Sequence, residues 1–297
     1  MKTSLRAYDH ALDYERVGQF LVETYRESGK HINWLQARWE YMNFHPFVRV
    51  LDLSRIGLWE SGGQIVGAVH PEDPEGGVYF ELHPDFGDLR AEMLEYAEAH
   101  LALDNDGVKR MRVFINDLDE ELQGIAADRG YAMDGSAEPM TRFDIADEIP
   151  AHPIPDGYRV SNLTLDGDAV KESRLFWRGF NHGDEPPGDG REDREFMRSA
   201  PNFDTDLNIV VVAPDGTLAS YCGTWMDPVN HVAYVEPVCT DPDHRRLGLA
   251  SAAVLAGIRR CAERGATVAF VGSDQPAYLS MGFAPHHRTS AWAREWS

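Results

Sequence analysis

Apolar and polar positions alternate in two rhythms along this chain, and its second half repeats the order of its first. Val17, Phe20, Leu21 and Tyr25 recur at helical spacing within residues 12–28, and Trp34, Leu35, Trp39 and Met42 predict another helix. Residues 56–59 and 64–70 read as strands joined by the turn Glu60-Ser61-Gly62-Gly63. A third strand, 77–83, follows the Pro/Glu/Gly-rich loop 71–76. Residues 88–101 predict an amphipathic helix with Leu89, Met93, Tyr96, Ala97 and Leu101 on or near one face. A strand at 111–115, a helix at 119–128 and the turn Arg129-Gly130-Tyr131 lead into the last strands of this half.

Residues 146–157 carry Pro150, Pro153 and Pro155 with no apolar period, which predicts a connection between domains. The chain is therefore divided into a first domain at 1–146, a linker at 147–157 and a second domain at 158–297. In the second domain a strand at 158–163 precedes a helix at 168–181 carrying Val170, Leu175 and Phe176. A polar Pro/Gly loop at 182–190 and a short helix at 191–199 come next. Strands at 207–212 and 218–225 flank the turn Pro214-Asp215-Gly216, and a strand at 232–240 runs into a helix ending at 263. A strand at 267–271, a short helix around Tyr278 and a final strand pair at 283–292 close the pattern. Laid on each other, 56–69 matches 209–222 and His83-Pro84-Asp85-Phe86 falls on Asp241-Pro242-Asp243-His244, so the chain reads as a domain-scale duplication.

At 297 residues with 43% apolar content, the chain is long enough for two globular domains, and no run of about eighteen apolar residues could span a bilayer. The first residues lack the apolar core of a secretory signal. Three cysteines, Cys222, Cys239 and Cys261, cannot all pair and show no metal-ligand spacing, so no metal is expected and a reducing, cytoplasmic location fits best. The net charge of −21 argues against nucleic-acid and anionic-membrane partners. It is unevenly spread: residues 1–150 hold 14 Lys/Arg against 29 Asp/Glu, a balance of −15, and residues 151–297 hold 14 against 20, a balance of −6.

The less acidic half contains the stretch with the clearest chemistry. Between the strand at 232–240 and the following helix lie Arg245, Arg246, Leu247, Gly248, Leu249 and Ala250. Main-chain N–H groups converging at a helix N-terminus form a cradle for phosphate, small residues let the backbone approach, and arginines add donors. Pro237 interrupts the strand and marks a bulge or an opened edge. Beside it, Glu236 is a carboxylate in an apolar run: a candidate general base, directly or through water, an anchor for a cationic amine, or half of a structural ion pair.

Arg245-x-x-Gly248-x-Ala250 resembles the acyl-CoA signature of the GNAT N-acetyltransferases, and Tyr278-Leu279-Ser280-Met281-Gly282-Phe283 resembles that family's Tyr-x-x-x-Gly-Phe. The resemblance implies two tandem GNAT-like α/β domains, each a mixed, mostly antiparallel sheet flanked by helices. It implies acetyl-CoA as cosubstrate, bound along Val238, Cys239 and Thr240 and over residues 245–250, with the Val238 N–H meeting the thioester oxygen. Tyr278 falls where the family places its general acid. The reaction implied is transfer of acetyl to a primary amine of a small molecule or peptide, by a monomer or homodimer. Phe180, Asn181 and His182 are candidates for the acceptor pocket, with His182 equally readable as a plain helix-end residue. Acidic cleft residues would favour cationic acceptors. Arg259 and Arg260 could reach a nucleotide phosphate or serve as helix-end dipole partners. A covalent role for Cys239 is disfavoured because no base is spaced to activate it. The alternative reading is a non-catalytic acyl-CoA sensor or scaffold. In the first copy Gly248 is replaced by Arg90 and Ala250 by Glu92, so that copy is expected to be blind to acyl-CoA and to serve as structure.

Overall fold

The computed structural model describes residues 2–28, 32–74, 76–145, 148–149 and 151–297. The expected loop at 71–76 and connection at 146–157 each include residues outside this set (75; 146, 147 and 150). In chain order the elements of the first half are β1 (Thr3–Ala7), α1 (His10–Ser28), α2 (Gln36–Phe44), β2 (Gly57–Ser61), β3 (Gln64–Pro71), β4 (Gly77–Leu82), α3 (Arg90–His100), β5 (Leu103–Asn105), β6 (Val108–Asn116), α4 (Glu120–Asp128) and β7 (Ala132–Asp144). Those of the second are β8 (Arg159–Asn162), α5 (Leu163–Asp166), α6 (Ala169–Gly179), α7 (Arg191–Arg198), β9 (Ile209–Val212), β10 (Leu218–Asp227), β11 (Val232–Thr240), α8 (Leu249–Glu263), β12 (Val268–Val271), α9 (Pro276–Met281) and β13 (Ala284–Trp296).

Two compact units result. Unit 1 comprises residues 1–42, 47–139 and 287–297; unit 2 comprises 43–46 and 140–286. In unit 1 the strands lie in the order β1-β2-β3-β4-β6 and then the end of β13, with β5 beside β6. Among the described residues of this unit only the β4–β6 contact is parallel. Strand alternation fills both faces: Trp59, Val113 and Ile115 pack with Met93 and Leu94 of α3, while Leu58 and Tyr79 pack with Val17, Leu21 and Trp39 of α1 and α2. Each such fully buried side chain contributes roughly 1.5–3 kcal/mol.

Unit 2 repeats the plan as β8-β9-β10-β11-β12 and then the end of β7, with β11–β12 its one parallel contact. Ile209, Val211, Ala233 and Val235 pack under Val254 and Ile258 of α8, and Val210, Val212 and Tyr221 on the other face pack under Leu175 of α6. Both units are thus mixed, mostly antiparallel sheets covered by helices.

Besides β1, β5 and α5, which the sequence reading does not foresee, two longer strands depart from it. The final strand pair expected at 283–292 is one 13-residue strand, β13, and the strands expected after Tyr131 are likewise one strand, β7. Each serves the other half of the chain. Residues 141–144 of β7 pair with Val268–Val271 in unit 2, and residues 289–296 of β13 pair with 109–116 of β6 in unit 1.

Candidate active site

Strand β11 of unit 2 is held on one side only for its second half. Its parallel ladder with β12 covers Val232–Val235 against Val268–Val271 and then stops, while β11 runs on to Thr240. On the other side the ladder with β10 slips by one residue, so that Gly223 alone faces Glu236 and Pro237. Only glycine fits there: a Cβ on Gly223 would lie 2.4 Å from the Glu236 carbonyl oxygen. The Trp225 indole N–H donates to that same carbonyl at 2.8 Å. The bulge expected from Pro237 therefore coincides with the point where β11 leaves β12. Beyond it, Asp241 N–H donates to Ala219 C=O at 3.0 Å, which makes Ser220–Thr240 and Cys222–Val238 the non-bonded pairs of this ladder. The N–H and C=O groups of Val238 and Thr240 consequently point away from β10, into the opening. Helix α6 closes in over it, where a Cβ on Gly179 would sit 2.9 Å from that of Cys239.

The turn after β11 is clamped from below. The Asp241 carboxylate accepts the Asp243 N–H at 3.0 Å and two bonds from Arg178, at 2.7 and 3.1 Å, and Arg178 also donates to Asp243 at 2.6 Å. Burial alone would raise the Asp241 pKa, but Arg178 and the Asp243 N–H outweigh it and hold the group below the usual carboxylate range. Arg246 (φ 62°) and Gly248 (φ 76°) are both left-handed, and Gly248 caps α8 without a side-chain bond. The N–H groups opening α8 therefore face outward with no intrahelical acceptor, as a cradle requires. Leu249 is buried in the core, so only its main chain can take part, while Arg246 and Leu247 are exposed. His152 lies against the cradle, its Nε2 2.6 Å from where a Gly248 Cβ would be.

Arg245 is exposed and bonded to its own chain. Its guanidinium turns back to Thr240 C=O at 3.2 Å, Gly179 C=O at 2.9 Å and Asn181 Oδ1 at 2.9 Å, so it ties the end of α6 to the end of β11. Its Nε and Nη2 are thereby used by the protein's own oxygens. Arg259 and Arg260 are engaged as well, on Ile149 C=O at 3.0 Å and Asp206 at 2.7 Å. His182 packs its ring on Trp177 at 5.2 Å.

Glu236 sits at the mouth of the opening, half-buried, with the Tyr234 hydroxyl 3.5 Å from its Oε2. Tyr278, on α9, packs edge-on against Phe283 at 5.7 Å and borders the core under α8. Burial first, and then the Cys222, Glu236 and Cys239 groups around it, raise its phenol well above the ordinary value. Burial pushes the Cys239 thiol up to about 12, which leaves almost no thiolate near neutrality. A carboxylate, a protonated phenol, a strand edge that turns the Val238 N–H and C=O outward and a donor-rich helix start thus share one end of the unit 2 sheet.

The family model described as acetyltransferase (GNAT) family matches residues 171–283. Residues 171–283 form a GNAT acetyltransferase domain. Its span holds Glu236, the cradle and Tyr278. Among solved structures, a GCN5-related N-acetyltransferase from Sphaerobacter thermophilus is 17% identical, with 99% of this chain and 95% of that one covered and a TM-score of 0.64. A tandem GNAT protein from the clavulanic acid biosynthesis pathway is 18% identical, with 99% and 98% covered and a TM-score of 0.63. At this identity these likenesses establish the fold, and they extend it over both units. No curated protein matches the sequence significantly. GNAT domains transfer acyl groups from acetyl-CoA to amines.

Unit 1 offers the GNAT domain an internal comparison. Its β4 also parts from β6 early, after Gly77 and Val78. At the start of α3, however, Arg90 donates to Gly87 C=O at 3.1 Å and Asp119 at 2.7 Å, filling the place of a cradle, and Glu92 accepts from the Trp59 indole at 2.8 Å. Sequence reading missed Arg178, Gly179, Gly223 and Trp225. Gly223 carried a legible signal, since it interrupts an apolar strand with no turn beside it.

Proposed function

We propose that unit 2 transfers an acetyl group from acetyl-CoA directly to a primary amine, and that unit 1 binds no acyl-CoA. The reading rests above all on one observation: β11 leaves β12 at Glu236 and ends in an uncapped helix start at Gly248. An extended amide-bearing arm fits the Val238 N–H and C=O and the Thr240 N–H as an added strand, the Thr240 C=O being held by Arg245, with its diphosphate on the N–H groups of residues 248–250 and the Arg246 guanidinium. The Val238 N–H is the donor for the thioester oxygen as it gains charge. Leu247 and Leu249 contribute through their main chain, Cys239 turns its own main chain to Tyr221 of β10 and so only shapes the wall, and Arg245 contributes by holding the turn.

The amine nitrogen attacks the thioester carbon. The C–N bond forms, the C–S bond breaks, the amine proton passes to Glu236, directly or through water, and the sulfur takes its proton from Tyr278. The products are an acetamide and free CoA. Acceptors carrying positive charge are favoured because Glu236 doubles as their anchor. A Tyr278→Phe variant tests the assignment. It should bind acetyl-CoA as the wild type does while CoA release, followed with a thiol reagent, falls by about 10²-fold or more. Full activity in this variant would remove Tyr278 from the mechanism. If no amine in a broad panel yields CoA from the wild type, transfer itself is refuted.

A further inference from the structure

The opening in unit 1 is not empty. Its wall β4 presents Leu82 as unit 2 presents Thr240: each stands just before a turn whose first residue caps the second next N–H, His83 for Asp85 and Asp241 for Asp243. His83 N–H donates to Val66 C=O at 2.9 Å, so Leu82, paired with Gly67, turns its own N–H and C=O away from β3 and into the gap. Both groups meet Asn33. The Leu82 N–H donates to Asn33 Oδ1 at 3.1 Å, and Asn33 Nδ2 donates to Leu82 C=O at 3.2 Å. The neighbours of Asn33 complete the bridge. Asn116, at the end of the opposite wall β6, donates to Ile32 C=O at 3.2 Å, and Trp34 N–H donates to the buried Glu81 carboxylate at 2.7 Å. The other oxygen of Glu81 lies 3.2 Å from His70 Nε2. What remains of the gap is a cavity of about 170 Å³. Pockets that hold drug-sized ligands start near ~300 Å³.

We propose that residues 32–34 are the resident ligand of the unit 1 groove: the Asn33 carboxamide gives Leu82 the donor and acceptor that an extended amide-bearing ligand would otherwise supply. The groove is closed by the chain itself along its arm-binding half, just as Arg90 fills its anion-binding half. Loss of ligand binding in this copy is then a substitution of one occupant for another, and the β4 edge stays satisfied without cofactor. This inference rests on the geometry of unit 1 and not on the transfer chemistry.

Amide exchange on the full chain, read by NMR, tests it. In the wild type the Leu82 amide should be protected although no strand faces it, and saturating acetyl-CoA should leave the Leu82 amide and the Asn33 side-chain signals unmoved. In Asn33→Ala, Leu82 should exchange at least about tenfold faster while His83, bonded to Val66, keeps its rate. Equal Leu82 rates in the two proteins, or displacement of the Asn33 signals by acetyl-CoA, would overturn the proposal. The wild-type comparison decides the matter even if the variant does not fold. Failure of the chain to bind acetyl-CoA anywhere would count against the unit 2 reading and leave the comparison of Leu82 rates intact.

Discussion

Gly248 is held to glycine by its backbone: a φ of 76° costs an L-residue about 1–2 kcal/mol, and a Cβ would also have to displace the exposed His152 ring. Gly248→Ala should therefore weaken acetyl-CoA binding about tenfold, with Gly216→Ala as the control: φ there is 83°, nothing crowds it, and it should lower stability without changing the dissociation constant. Equal binding by both variants would detach Gly248 from the cradle. Tyr278 carries a prediction in pH. Because burial raises its phenol above the usual value near 10, the acid stays protonated across the working range. Once the acceptor amine is deprotonated, kcat should stay level up to about pH 10, and a falling limb below pH 9 would exclude Tyr278 as the proton donor. Gly248 and Tyr278 were legible in the sequence because each sits in a short motif whose chemistry depends on residue type. For Arg245 spacing shows that a guanidinium is near a proposed phosphate seat, but not that three protein oxygens bind its Nε and Nη2.

Among the elements, β11 was the most legible, since Pro237 cannot serve a continuous ladder and Glu236 cannot be buried unpaired. The clamp beneath its end was not. Arg178 lies in the last turn of α6, where a basic residue ordinarily answers the helix dipole, and nothing local points it to Asp241, 63 residues later. Yet both side chains are less than a tenth exposed, so the pair behaves as a buried one. Arg178→Ala leaves the Asp241 carboxylate to the Asp243 N–H and to Arg174, 3.9 Å away, and should cost about 3 kcal/mol. Because α6 and the turn would part, acetyl-CoA affinity should fall with stability. Asp241→Asn paired with Arg178→Met removes the charges together and should recover much of the stability. Calorimetric melting of the three variants checks this, and a single variant as stable as wild type would show that the clamp is ornamental.

For the whole molecule, the duplication was readable because both halves repeat the same alternation of elements, but the ownership of strands was not. The sequence marks strands after Tyr131 and a strand pair at 283–292 and is silent on partners, since any edge of matching period satisfies such segments. The outcome is that neither half of the chain contains a whole unit. A fragment of residues 158–297 lacks 141–144, leaving Val268–Val271 without its outer neighbour, and carries residues 289–296 without β6. A fragment of residues 1–157 keeps β6 but loses Ala291 and Trp292, both buried in unit 1. Unpaired edges of this kind favour misassociation. Produced separately, the two fragments should each melt without a sharp transition, and the second should bind acetyl-CoA at least about tenfold more weakly than the intact chain. Mixed during refolding, they should recover both the cooperative melt and the affinity, because the exchanged strands then find their sheets. If residues 158–297 alone fold and bind like the whole protein, the strand exchange is dispensable and the connection at 147–157 is the true boundary between domains.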